Sequence, residues 1–141
     1  PKSRGSLIKY KKGSKKLTIL DESYNSNPLS LKFALQRFNL INIENSKKYL
    51  LIGDMLELGA YSKKLHIEIA KYINKSKVNK TYAYGRHTKH TFNKLKPQIR
   101  GRILTNTMDI YNLINKVLPN NSLLMVKGSN STGLNKIIQK L

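Results

Sequence analysis

The sequence predicts an α/β fold: a mostly parallel sheet between two helical layers, entered through a small N-terminal hairpin. Three observations predict it. Short apolar runs recur along the chain, each long enough for a strand and too short for a helix. Most are followed by a polar loop and then by apolar residues at helical spacing. After the hairpin this strand–loop–helix order repeats about four times, the pattern of buried parallel strands with crossover helices on both faces. No repeat of solenoid type is present.

The elements follow in order. Residues 1–5 read as a linker or an arriving strand. Residues 6–10 and 17–20 are two strands, and the polar stretch 11–16 between them carries Gly13, suited to a hairpin turn. The polar loop 21–28 (D-E-S-Y-N-S-N-P) comes next. Pro28 disfavours helix at Asn27 and suits the first helical turn. Leu31, Ala34, Leu35 and Phe38 then mark one apolar helical face. A strand at 49–52 ends at Gly53-Asp54, a turn at 57–61 contains Gly59, and Leu65, Ile69, Ala70 and Ile73 form a second helical stripe. A strand at 81–84 ends at Gly85. A short helix is expected over 89–95 and a small strand at 103–104. Thr107 reads as the cap of a helix bearing Met108, Tyr111, Ile114 and Leu118. The last strand, 123–126, leads into Lys127-Gly128, a loop at 129–132 and a helix with Leu134, Ile137, Ile138 and Leu141.

The chain has 141 residues, the size of one domain with a real core. It opens on Pro1 rather than Met, which reads as a processed or excised piece. The absence of cysteine excludes disulfides, thiolate zinc sites and a cysteine nucleophile. No apolar run reaches membrane-span length and no signal-peptide pattern opens the chain, so a cytoplasmic protein without a membrane partner is expected. With 27 basic and 7 acidic residues the formal charge is +20. Such a surface attracts polyanions, and a nonspecific basic nucleic-acid-binding module is one reading of it. The basic residues are mostly lysine and are spread along the chain; only Arg4, Arg37, Arg86, Arg100 and Arg102 are arginine. Lysine and asparagine excess is also what an AT-rich genome produces. A basic-aromatic array, a helix-turn-helix and an RNP motif are all lacking, so no specific nucleic-acid partner is expected.

In parallel sheets of this kind ligands bind at the carboxyl ends of the strands. Three polar loops fall there: 21–27, 53–59 and 127–132. In the first, Asp21 and Glu22 could accept from ribose hydroxyls or hold a magnesium-bound water, and Asn25 and Asn27 could read a base edge or a peptide. Equally, Ser26 or Asn27 caps the helix and Asp21 favours its positive end. In the second, Asp54 and Glu57 are either ligand-facing or capping groups, and Met55, Leu56 and Leu58 look like packing. In the third, Lys127 precedes Ser129, Asn130, Ser131 and Thr132 at a helix start, a set suited to an anion. It also reads as a strand-end lysine followed by a cap, and it lacks Walker spacing. His66 falls on a helical stripe and reads as packing or partly buried. His87 and His90 lie after Gly85, and no metal site is predicted.

The segments LTILDESYNSNPLSLKFAL, LLIGDMLELGAYSKKLHIEIA and LMVKGSNSTGLNKII stand in the order found in one enzyme family. On them the chain resembles the C-terminal domain of the Mur ligases over nearly its whole length. D-E-S-Y-N-x-N-P and G-D-M-x-E-L-G are most like the members that add a dipeptide, and residues 78–119 match only in general pattern.

The resemblance implies a Rossmann-like three-layer sandwich spanning residues 1–141. It would close over ATP and help bind the acyl acceptor. Two further domains, one for the UDP-sugar and a central ATPase with the P-loop and the Mg2+ ligands, have no counterpart in these residues. The fragment alone is therefore expected not to ligate. The implied reaction belongs to peptidoglycan precursor synthesis. ATP phosphorylates the carboxylate of UDP-MurNAc-tripeptide, the amine of D-Ala-D-Ala attacks, and phosphate leaves. Partners would be these two substrates and the rest of the same polypeptide; another Mur-type amino-acid ligase is the related alternative. Carried over by motif, Arg4, Asp21, Glu22, Tyr24, Asn25 and Asn27 would face ATP, with Asp21 or Glu22 near its ribose. Asp54, Met55, Glu57, Lys127, Ser129, Asn130 and Ser131 would face the acceptor. No residue of this domain is assigned as catalytic or as a metal ligand.

Overall fold

The structure is a computed structural model that describes residues 4–141. The first three residues of the expected linker lie outside the described residues. Among the described residues six strands form one sheet in the order β1-β2-β6-β3-β4-β5. β1 (Ser6–Lys12) and β2 (Lys15–Glu22) are the antiparallel hairpin, closed by Gly13-Ser14. β6 (Ser122–Lys127) pairs parallel with both β2 and β3 (Lys48–Gly53), and β4 (Lys80–Tyr84) and β5 (Arg100–Leu104) continue the parallel sheet. This is the α/β sandwich expected from the sequence.

Side chains alternate across the sheet, so the inner strands are apolar on both faces. Ile19, Tyr49, Leu51, Leu124 and Val126 pack on one side with α4 (Thr107–Asn112), the π-helical turn Leu113–Val117 and α5 (Leu134–Gln139). Leu20, Leu50, Ile52, Leu123 and Met125 pack on the other with α1 (Pro28–Leu40) and α2 (Ser62–Asn74). α3 (Thr88–Phe92) lies beside α2 on that second face.

Several boundaries differ from the sequence reading. β2 runs through Asp21 and Glu22, because Asp21 pairs with Ser6 on one side and Val126 on the other. α3 is shorter than the expected 89–95, and β5 is longer than 103–104. The cap of α4 is Asn106, not Thr107: the Asn106 carboxamide oxygen accepts from the Asp109 amide (2.9 Å), leaving Thr107 as the first helical residue. Leu141 follows α5 rather than belonging to it. Among the described residues no helix is long and apolar enough to cross a membrane.

The topology creates a crevice. β3 feeds α2 on one face, whereas its neighbour β6 feeds α5 on the other, so the loops after them diverge. The two tips stay close at Gly53 and Gly128. A Cβ on Gly53 would stand 2.6 Å from Leu134 Cδ1, and one on Gly128 would stand 3.2 Å from the Gly53 Cα. A larger residue at either position would have to displace the end of the Leu134 side chain.

Candidate functional site at the strand tips

The loops that follow β2, β3 and β6 meet at this crevice, and Ser129 joins them. Its amide donates to the Asp54 carbonyl (3.1 Å), its Oγ accepts from the Leu56 amide (3.0 Å), and the same hydroxyl lies 3.4 Å from the Ser26 carbonyl. Ser129 is buried, so these contacts replace water rather than compete with it.

In the first loop, the Asp21 carboxylate accepts from the Ser23 amide (3.1 Å) and hydroxyl, bending the chain out of β2. Asn25 Oδ1 accepts from the Ser26 amide (2.8 Å). Asn27 caps α1: its side chain accepts from the Ser30 amide (2.8 Å), and its own amide donates to Ser30 Oγ (3.0 Å). The capping reading of Asn27 therefore holds. Tyr24 is exposed, with the Arg4 guanidinium 3.9 Å over its ring centre.

The second loop is held mainly from behind. The Asp54 carboxylate accepts from three successive amides, Arg86 (3.0 Å), His87 (2.9 Å) and Thr88 (2.9 Å), at the start of α3. Gly85 lets it approach: φ is +135° there, and a Cβ would lie 2.5 Å from Asp54 Oδ1. Asp54 is thus committed to the backbone. The Met55 side chain is 1% exposed and packs in the core with α1 and α2. Glu57 is exposed, in the left-handed conformation at φ 63°.

The third loop starts at Lys127, only 3% exposed, whose ammonium donates to the Asn25 carbonyl. Burial first, and then the nearby Arg37 charge, lower its pKa to about 8. Asn130 and Ser131 are exposed, and the Asn130 side chain accepts from Asn135.

Two hollows open here. One, of about 330 Å3, is lined by Arg4, Glu22, Tyr24, Asn25, Ser30, Arg37 and Lys127. Three cations face one carboxylate, Glu22, which pairs with Arg37. Its chemistry suits a polyanion. Arg37 was missed in the sequence; its signal was a basic residue on the apolar helix nine positions after Pro28. The other hollow, of about 470 Å3, lies between Asp54, Leu56, Tyr84, Arg86, Thr105 and Ser131 and is largely neutral. Tyr84, Arg86 and Thr105 were also missed, since they lie in the stretch without recognisable motifs. A third hollow, about 640 Å3, runs along β1 beneath the end of α5, and Asp21 lines it. Among the described residues no group of three His, Asp or Glu is placed to hold a metal ion.

Comparison with known proteins agrees with this architecture. The family "Mur ligase, glutamate ligase domain" matches residues 7–130. The chain is 31% identical over 137 residues to a UDP-N-acetylmuramoyl-tripeptide–D-alanyl-D-alanine ligase of Rickettsia prowazekii, covering 97% of this chain and 29% of the relative. It is 36% identical over 80 residues to the protein of the same name in Bacillus subtilis, covering 57% and 17%. Among solved structures, MurF ligase from Thermotoga maritima in complex with ADP superposes with a TM-score of 0.77 at 18% identity, over 97% of this chain and 30% of that one. MurF from Acinetobacter baumannii gives 0.79 at 22% identity, over 100% and 30%. The chain spans less than a third of the length of these relatives. It belongs to the Mur ligase family and corresponds to the C-terminal domain of those enzymes.

Proposed function

We propose that this chain is the C-terminal domain of an ATP-dependent ligase that joins D-Ala-D-Ala to UDP-MurNAc-tripeptide in peptidoglycan precursor synthesis. The observation that carries the reading is the joining of the three strand-tip loops through Ser129, beside a hollow with three cations. The names of the relatives from Rickettsia prowazekii and Bacillus subtilis supply the acceptor and the acyl donor. A solved relative is in complex with ADP, which supports nucleotide use by the enzyme of which this chain would be a part.

Arg4, Arg37 and Lys127 would bind the polyphosphate of ATP and balance charge on the phosphorylated carboxylate. Tyr24 and Asn25 would shape the same hollow, with Glu22 at its strand edge, while Asp21, which lines the hollow along β1 instead, would hold the bend at Ser23. The neutral hollow beside Ser131 would receive the dipeptide, and its amine would meet the acyl group near Ser129, which joins the loops. Asp54, Ser129 and Asn27 would hold the loops, while Glu57 and Asn130 would lie at the rim. Mg2+ and the P-loop would belong to a central domain of the full-length protein. Closure of the two domains would align the reactants and exclude water from the acyl-phosphate.

The test is ATP-dependent phosphate release by the full-length protein, with both substrates present. Lys127→Gln is expected to lower kcat/KM by about a hundredfold, the loss of one charge-assisted contact in the transition state. Turnover within about twofold of wild type, or phosphate release that does not require the dipeptide, contradicts the proposal.

A further inference from the structure

We propose that His66 is a positioning residue for the strand-tip site. Its neutral imidazole, with its one proton on Nδ1, holds the Met55 amide and with it the turn between β3 and α2. A second proton, on Nε2, releases that turn. The role in ligation rests on the function proposed above; the latch itself does not.

The hydrogen bonds dictate the tautomer. His66 is wholly buried on α2. Its Nδ1 lies 2.7 Å from the Ser62 carbonyl, which can only accept, so Nδ1 carries the hydrogen. Its Nε2 lies 3.1 Å from the Met55 amide, which can only donate, so Nε2 is bare. Protonating Nε2 would set one N–H against another in a site without water access, and the Met55 contact would break.

That contact completes the anchoring of the turn. The Asp54 side chain is held by the amides that begin α3, and the Asp54 carbonyl and Leu56 amide are held by Ser129. The Met55 amide is tied to α2, and His66 ties it. Thr91 Oγ1 donates to the His66 carbonyl (2.6 Å), fixing α2 against α3 from the same residue. Loss of the Met55 contact therefore loosens the segment that carries Leu56 into the neutral hollow.

The charged and titratable neighbours come from three places. Asp54 at the tip of β3 favours the cation, whereas His87 and His90 at α3 oppose it. The His87 ring centre is 5.4 Å away, and Lys63 faces His90. Burial is the largest influence and pushes the His66 imidazole below its ordinary value. The unfolded chain therefore takes up the proton first, and the latch weakens as pH falls through and below the ordinary imidazole range.

The test compares wild type, His66→Gln and His66→Ala in the full-length protein. Glutamine keeps an acceptor toward Met55 but takes up no proton. The wild-type ring is expected to show the Nδ1–H tautomer in nitrogen NMR at neutral pH. Protection of the Met55 amide from exchange is expected to fall about tenfold between pH about 7.5 and about 5 in wild type, and to stay level in His66→Gln. In His66→Ala it is low throughout, and KM for the dipeptide rises more than kcat falls. A proton on Nε2 at neutral pH, or the same pH profile in wild type and His66→Gln, overturns the latch. Lost Met55 protection with an unchanged dipeptide KM overturns the positioning role. If His66→Ala does not fold, the wild-type tautomer and the His66→Gln profile still decide. Wild type that does not ligate the dipeptide contradicts the proposed function, while Met55 protection continues to test the latch.

Discussion

Lys127 ends β6 as a nearly buried cation whose one protein partner named above is the Asn25 carbonyl. A carbonyl stabilises an ammonium less than a carboxylate does, and the pKa of about 8 follows from burial and from Arg37 nearby. The folded chain thus binds this proton less tightly than the unfolded chain, whose lysine titrates near 10.5. Between these values the unfolded state holds more protons, so folding stability gains as pH rises. Denaturant melts should show wild type gaining stability relative to Lys127→Met from pH about 8 to about 10.5. A constant difference between the two proteins across that range would show that Lys127 is not desolvated. The same residue explains why a polyanion suits the hollow: an arriving phosphate supplies the negative charge the fold leaves out.

At the scale of elements, the loops are held by a few side chains that reach across from other elements. Ser129→Ala keeps the amide bond to Asp54 but removes the hydroxyl contacts to Leu56 and Ser26. Urea unfolding should show a loss of about 1 kcal/mol, because the half-buried Leu56 amide is left without its acceptor. A loss below about 0.3 kcal/mol would mean that the loops hold together without it. The sequence revealed where these loops lie but not how they are tied. The stripe Leu31, Ala34, Leu35 and Phe38 and the Asn27-Pro28 start located α1, because period and capping are local signals. Asp21 and Glu22 looked like loop residues because they are polar; their strand pairing comes from β1 and β6, far away in sequence. Asp54 looked like a possible ligand contact, and only the fold reveals the three amides at residues 86–88 that occupy it. Met55 sat in a motif, yet its burial follows from α1 and α2 packing above it.

Across the whole molecule, two apolar layers on the faces of the sheet account for the fold, and the divergence of β3 and β6 accounts for the place of the site. The charge of +20 accounts for neither. Lysines such as Lys11, Lys12, Lys15 and Lys16 lie on the β1–β2 hairpin, away from the tips of β3 and β6. Their attraction for anions is long-range and screened by salt. The strand-tip hollow differs in kind, since Lys127 is buried and Arg37 is fixed by Glu22. The measurement that separates the two is a residue-resolved NMR titration of ATP, then of D-Ala-D-Ala, into the full-length protein at physiological salt. Shifts should gather for ATP at Arg4, Tyr24, Asn25, Arg37 and Lys127, and for the dipeptide at Leu56, Tyr84, Arg86 and Ser131. Shifts scattered over the hairpin lysines and fading together with added salt would contradict a shared site at the tips of β2, β3 and β6.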